Sequence, residues 1–355
     1  MRFNSLVVVQ YKGAMGFRPK VVALSLMLSL CILFALLGIH QSNAQSGSAA
    51  QATEAATPSP TSQPLILLWQ ANVAPDDLVD GANFITLDTL GNCYVDSDQG
   101  LPVKEFDANG KMVATWGSQG KGDGEFTYET GIAVDAQGNL YVADVVNVRI
   151  EKFDNKGNFV TSWTTEAPAG PTGIGIDSKG NIYVANHHPH DHYIQKFDST
   201  GKLLNQWGST GTGDGQFMAE DTSGIVGLAV DKQDNVYVTD PLNHRIQKFD
   251  SNGKYLSQFG SAGVNGNGQF NNLVAVAADA QGNIYASDGS YLQKFDPNGN
   301  LIAQWSEKVP HSDLDRANFV AVDAQGNIYV TAHATITTAK GRLDMLILKK
   351  LKQPS

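Results

Sequence analysis

GIAVDAQGNLYVAD, Gly131–Asp144, decides the fold, because the chain repeats it. It returns as GIGIDSKGNIYVAN at Gly173–Asn186, GLAVDKQDNVYVTD at Gly227–Asp240 and VAVAADAQGNIYASD at Val274–Asp288. FVAVDAQGNIYVTA at Phe319–Ala332 and FITLDTLGNCYVDS at Phe84–Ser97 complete a set of six. The aligned tyrosines, Tyr94, Tyr141, Tyr183, Tyr237, Tyr285 and Tyr329, are 47, 42, 54, 48 and 44 residues apart. That period suits four short strands with their turns, and a repeat at such a period marks an array or propeller.

Within one unit the letters assign the strands. Ile132–Val134 is apolar and ends at Asp135, and Gly138-Asn139 supplies a reversal in which glycine takes positive φ at little cost. Blade four has Asp234 there, a residue that tolerates the left-handed region better than most. Leu140–Ala143 is the second strand, RIEKFD at Arg149–Asp154 the third, and Asn158–Trp163 the fourth after Gly157. The third strand recurs as YIQKFD at 193–198, RIQKFD at 245–250 and YLQKFD at 291–296. Ile150 and Phe153 project from opposite faces, so the strand is covered on both sides, as stacked blades require. The last unit offers a third strand at Met345–Leu351 and no fourth. LILLWQ, Leu65–Gln70, resembles the fourth strands LLNQW and LIAQW and is expected to complete the last blade and close the ring. The expected fold is all-β, a six-bladed β-propeller over residues 64–352.

The pattern GSxGxGDGxF followed by GIAVDxxGNxYVADxxNxRIxKFDxxG resembles the NHL-repeat propellers, with GSQGKGDGEF at Gly117–Phe126, GSTGTGDGQF at Gly208–Phe217 and GSAGVNGNGQF at Gly260–Phe270 as its copies. The resemblance implies the six-bladed fold, of a bacterial, exported kind. It does not choose a function, since such propellers include RNA-binding regulators, sensor domains of bacterial membrane kinases and a metal-dependent lyase of amidated peptides.

Composition narrows the field. Apolar residues make up 42% and charged residues 17% of 355, enough for a large core and too little charge for a disordered chain. The first 44 residues hold four bases, Arg2, Lys12, Arg18 and Lys20, and no acid, so the rest carries 21 bases against 35 acids. A body that acidic repels phosphate backbones, and nucleic acid is not an expected partner. Of the two cysteines, Cys31 lies in an apolar run and Cys93 in the first repeat, so no disulfide is expected within the domain.

That run, VVALSLMLSLCILFALLGI at 21–39, is uncharged and follows Arg18 and Lys20. Its length suits a membrane anchor with a basic stub left in the cytoplasm, residues 1–40 together. Ser42-Asn43-Ala44 also suits signal cleavage near Ala44. Either way the propeller is expected outside the cytoplasm. Residues 41–63, QSNAQSGSAAQATEAATPSPTSQ, read as a disordered spacer.

The recurrent acids Asp88, Asp135, Asp177, Asp231, Asp279 and Asp323 are expected to cap their turns, because catalysis needs no acid six times over. Asp144-x-x-Asn147-x-Arg149 and Asp240-x-x-Asn243-x-Arg245 are expected to brace the loops between second and third strands. GTGDG at 211–215 lacks the further ligands of a calcium loop, and Phe126, Phe217 and Phe270 beside such turns read as packing anchors. Strand order places the tight glycine turns on one face of the ring and the variable loops on the other.

On the variable face, HHPHDH at His187–His192 and His244 in the next blade hold five of the eight histidines. His187, His188, His190, His192 and His244 are candidate ligands for a divalent metal, zinc or calcium. His244 stands four residues past Asp240, where the resemblance places a zinc-bound histidine of the lyase; His311 matches another only loosely. The same face carries Asp76, Asp77, Asp80, Asp123, Glu125, Glu129, Asp214, Glu220, Asp221, Asp313 and Asp315. Such a concentration favours a cationic peptide, protein or small ligand. A binding module without cofactor is the expected function; a metal-dependent lyase or hydrolase using the histidine loops is the alternative, and a passive surface protein a third.

Overall fold

The computed structural model describes residues 64–75, 84–96, 100–165, 170–187, 192–218, 227–306, 317–338 and 341–353; the apolar run at 21–39 and the spacer at 41–63 lie outside them. These residues form six four-stranded antiparallel sheets. Blade one comprises Ile85–Leu87, Cys93–Val95, Val103–Phe106 and Met112–Trp116. Blade two comprises Glu129–Val134, Leu140–Asp144, Arg149–Phe153 and Phe159–Thr164, and blade three Gly170–Ile176, Ile182–His187, His192–Phe197 and Leu203–Trp207. Blade four is Leu228–Val230, Val236–Asp240, Arg245–Phe249 and Tyr255–Phe259; blade five is Ala275–Ala278, Ile284–Ser287, Tyr291–Phe295 and Leu301–Ser306. The innermost strands touch in cyclic order, and that of blade six, Ala317–Val322, meets that of blade one. The protein is a six-bladed β-propeller.

One turn explains why the repeat folds as it does. In blade two Asp135 Oδ1 accepts the N–H groups of Gln137 and Asn139, each at 2.9 Å, while Oδ2 takes the Asn139 amide at 2.7 Å and the Tyr141 hydroxyl at 3.2 Å. Gly138 has φ +81° and donates to the Asp135 carbonyl. The carboxylate thus satisfies the turn and tethers a fully buried tyrosine at once, each hydrogen bond to a charged group being worth about 1.5–3 kcal/mol. Tyr183, Tyr237, Tyr285 and Tyr329 repeat the bond to Asp177, Asp231, Asp279 and Asp323. A lysine from the third strand covers each ring, as Lys196 covers Tyr183 at 4.9 Å from the centroid. Blade one departs from this pattern. Glu105 stands where the others have lysine, and it accepts the Trp116 indole N–H at 3.1 Å.

The third strands are buried on both faces, with Ile150 and Phe153 enclosed as their spacing requires. Phe126, Phe217 and Phe270 are completely buried. Gly117 packs so closely on Phe126 that a β-carbon there would come within 2.2 Å of the ring, which is why this turn opens with glycine.

Blade six differs from expectation in length. Its second strand is Ile328–Thr338 and its third Gly341–Lys352, paired from Ile328↔Leu351 out to Thr338↔Gly341. The third strand therefore starts four residues before Met345. The segment after Ala332 has no Asp-x-x-Asn brace to end the ladder, and its β-branched residues, TITT, continue it. Ile66–Pro75 lies on the outer side of that strand, from Ile66↔Lys352 to Pro75↔Met345. Near the other end of the ladder, Gln353 donates to the Tyr285 hydroxyl at 2.7 Å and ties this strand to blade five.

The candidate functional site on the loop face

The loops between second and third strands and the connections between blades come together at one end of the ring, and hydrogen bonds weld them. Asp144 Oδ2 accepts the Thr127 N–H at 3.2 Å and the Asn147 amide at 2.6 Å, joining the incoming connection to the blade's own loop. In blade four Asp240 takes the Met218 N–H, the Asn243 amide and the Arg245 Nε–H. Arg245 then reaches the carbonyls of Gly213 and Gln216, both at 2.8 Å. Arg149 makes the same pair of bonds, to Gly122 and Glu125, but its ion pair is with Glu151 at 2.5 Å. The bracing role expected of both motifs is what they perform, with a different carboxylate in blade two.

The acids of this face divide by what they are already doing. Glu129 is buried in the first strand of blade two and accepts the Gly100 N–H at 2.9 Å, so it holds blade one's loop. Glu125 turns its carboxylate onto the N–H groups of Lys121 and Gly122 at 3.0 and 2.9 Å. Asp123 and Asp214 are exposed, at equivalent tips of GKGDGEF and GTGDGQF. Burial and then the bond to Asp214 raise the Tyr255 hydroxyl above its usual range; Phe159 stands at the equivalent position in blade two. Asp76, Asp77, Asp80, Glu220, Asp221, Asp313 and Asp315 lie outside the described residues.

The histidines are partly brought together. His187 and His192 are cross-strand partners in blade three. His244, just before Arg245, holds the position in blade four that His192 holds in blade three, because Asp240↔Arg245 matches Asn186↔Tyr193. His192 is completely buried, while His244 is half-buried with a left-handed φ of +55° and donates its backbone N–H to the Pro241 carbonyl. His188 and His190 lie outside the described residues. Among the described residues, no three His, Cys, Asp or Glu side chains are grouped to hold a metal ion.

Sequence reasoning passed over Glu151. It is buried with no exposed surface, in a strand position that is glutamine in the three blades that follow. The signal was present in RIEKFD against RIQKFD, but its meaning depends on what the side chain meets.

Residues 222–249, in blade four, match the NHL repeat. The fold is similar to that of a streptogramin B lyase, with a TM-score of 0.54 and 14% identity, covering 81% of this chain and 88% of that one. It is similar also to the virginiamycin B lyase of Staphylococcus aureus, at 0.55 and 12%, covering 81% and 99%. A gluconolactonase of Xanthomonas campestris matches at 0.53 and 16%, covering 81% and 96%. At such identities the likeness is one of fold.

Proposed function

We propose that this NHL-repeat propeller is an extracytoplasmic binding module whose loop face receives a cationic peptide, protein or small ligand. The observation that supports it is the pair Asp123 and Asp214, exposed at matching turn tips of the connections into blades two and four, on a face where Glu125 and Glu129 are turned onto N–H groups. Exposed carboxylates on a body with 14 more acids than bases focus a negative potential toward solvent. The apolar run at 21–39 and its basic flank support placement outside the cytoplasm, anchored or released near Ala44.

A lysine-rich peptide is the probe. Its affinity is expected to fall as salt rises and to drop several-fold in the Asp123→Asn, Asp214→Asn double variant, read by fluorescence anisotropy. Equal binding to the variant, or tighter binding to single-stranded RNA at physiological salt, would overturn the reading.

The second reading is a metal-dependent lyase or hydrolase. It is favoured by the cross-strand pair His187 and His192 in blade three and by His244 at the equivalent position of the next blade. The lyases and the lactonase among the similar propellers show that the fold can host chemistry. A zinc or calcium ion at these side chains would polarise a substrate oxygen or water. The zinc titration described in the Discussion separates this reading from the first.

A further inference from the structure

In blades four and five the middle of the third strand carries a glutamine that bonds the connection between blades, and the two show what that turn requires. In blade four Gln247 Oε1 accepts the Gly215 N–H at 2.9 Å, while Nε2 donates to the Gln216 carbonyl at 2.6 Å. In blade five Gln293 accepts from Gly268 at 2.7 Å and donates to the Gln269 carbonyl at 2.8 Å. The turn thus presents one donor and one acceptor, and an amide satisfies both.

Blade two has the same turn, with Gly124 and Glu125 in those places, but the side chain is Glu151. A carboxylate can accept from the Gly124 N–H, yet it has no hydrogen for the Glu125 carbonyl. Only the neutral acid has both, and in that form it is nearly isosteric with glutamine. Arg149 already donates to the Glu125 carbonyl at 2.8 Å, as Arg245 does to Gln216 in blade four. What blade two lacks, when Glu151 is ionised, is the second donor to that carbonyl.

We propose that Glu151 is a protonation switch for the inter-blade turn Gly117–Phe126. As an acid it completes the amide-like pair of bonds and holds the turn. As a carboxylate it gives up the bond to the Glu125 carbonyl and sets a negative charge on that oxygen lone pair. The charged groups around it divide by element. Arg149, on its own strand, favours ionisation; Asp144 on the second strand and Asp123 in the turn oppose it. The Glu125 carboxylate is occupied by the N–H groups of Lys121 and Gly122, and Lys152 lies over the Tyr141 ring.

Burial is the largest influence on this carboxyl, and with Asp144 and Asp123 it outweighs Arg149 and the Gly124 N–H, pushing it from 4.5 up to about 7. An acid raised in the folded state keeps its proton longer folded than unfolded. The associated stability is therefore full below the ordinary carboxyl range and declines as pH rises from 4.5 to about 7. The turn that loosens carries Asp123, so the switch would act on the loop face whether or not a cationic ligand binds there.

Glu151→Gln fixes the acid-like state permanently and copies the residue that blades three, four and five carry there. Thermal melting of the variant and the wild type from pH 4.5 to 8.5 is expected to show equal Tm at the acid end. The gap should open in the variant's favour between pH 5 and 7 to several degrees, and hold above that. In the unaltered protein, the Glu151 side-chain carboxyl carbon followed by NMR should titrate with a midpoint near 7. A midpoint in the ordinary carboxyl range, or a variant whose Tm runs parallel to the wild type at every pH, would overturn the proposal. The NMR titration needs no variant, so a Glu151→Gln protein that failed to fold would leave it decidable.

Discussion

Trp69 donates its indole N–H to the Ala108 carbonyl at 3.0 Å, and so the outermost strand of blade six is fastened to a turn of blade one. The same ring meets Tyr329 edge-on at 5.9 Å and lies so close to Gly110 that no β-carbon would fit there. One side chain from the start of the described chain therefore contacts its own blade and the next.

A protein starting at residue 72 loses that contact and much of the ladder from Ile66↔Lys352 onward. We expect a large fall in Tm or loss of solubility, because the strand Gly341–Lys352 is then left with an unpaired edge. Trp69→Ala alone, at a half-buried position, should cost about 2 kcal/mol in urea unfolding. A truncated protein that melts like the intact domain would remove the N-terminal strand from any part in closing the ring.

Asp234 replaces the glycine that the other five blades place in this turn, with φ +62°. Its carboxylate accepts the Ser178 N–H at 2.8 Å and meets the Ser178 hydroxyl at 3.0 Å, linking blades three and four. Asp234→Gly should be close to neutral, relief of the left-handed backbone offsetting the lost exposed bonds. Asp234→Ala keeps the strain and loses the bonds, and should cost about 1–2 kcal/mol. Equal destabilisation by the two substitutions would show that the backbone conformation is not the controlling cost.

Asp177 supplies the pH dependence at the acid end. Burial works against its charged form, but the Asn181 side chain and N–H, the Tyr183 hydroxyl and the Lys179 N–H outweigh it and hold the carboxyl below its usual 3.8. A depressed acid stabilises the fold above the unfolded value and loses that contribution as pH falls through the folded one. Asp177→Asn should be less stable than the wild type at pH 7 by about 1–3 kcal/mol, with the difference shrinking below 3.8. Urea midpoints at pH 7, 4 and 2.5 measure it; a difference constant with pH would contradict the assignment.

On the binding-module reading, zinc added to metal-free protein leaves Tm unchanged; His192, one of the candidate ligands, is enclosed. A rise in Tm that His192→Ala with His244→Ala abolishes would carry the lyase or hydrolase reading instead.

The repeat was legible because short apolar runs and turn residues recur together in it. The apolar runs set the strands, and the Asp…Gly-Asn spacing set the turns between them. The role of Asp135 toward backbone N–H groups could be read from that spacing, but its second oxygen's bond to Tyr141 could not, because it depends on where the next strand folds back. Glu129 looked like a surface acid only while the first strand was taken to begin at Ile132; the strand begins at Glu129 itself and buries it. The long hairpin of blade six was missed for want of a turn signal between Ala332 and Gly341. Glu151 shows the limit most clearly: the substitution is visible in sequence, and the donor and acceptor that give it meaning come from residues 27 and 26 positions away.

Ile66 faces Lys352 across the outer pair of blade six, so the two ends of the described chain stand side by side. Tension applied between those ends would open that pair like a zipper, loading one hydrogen-bonded rung at a time. Shear along the strands would instead have to break the whole ladder at once. The mechanical resistance of this seam is therefore set by a single rung and its side chains, and a modest pull would reach blade six before any of the five hairpin-connected blades felt it.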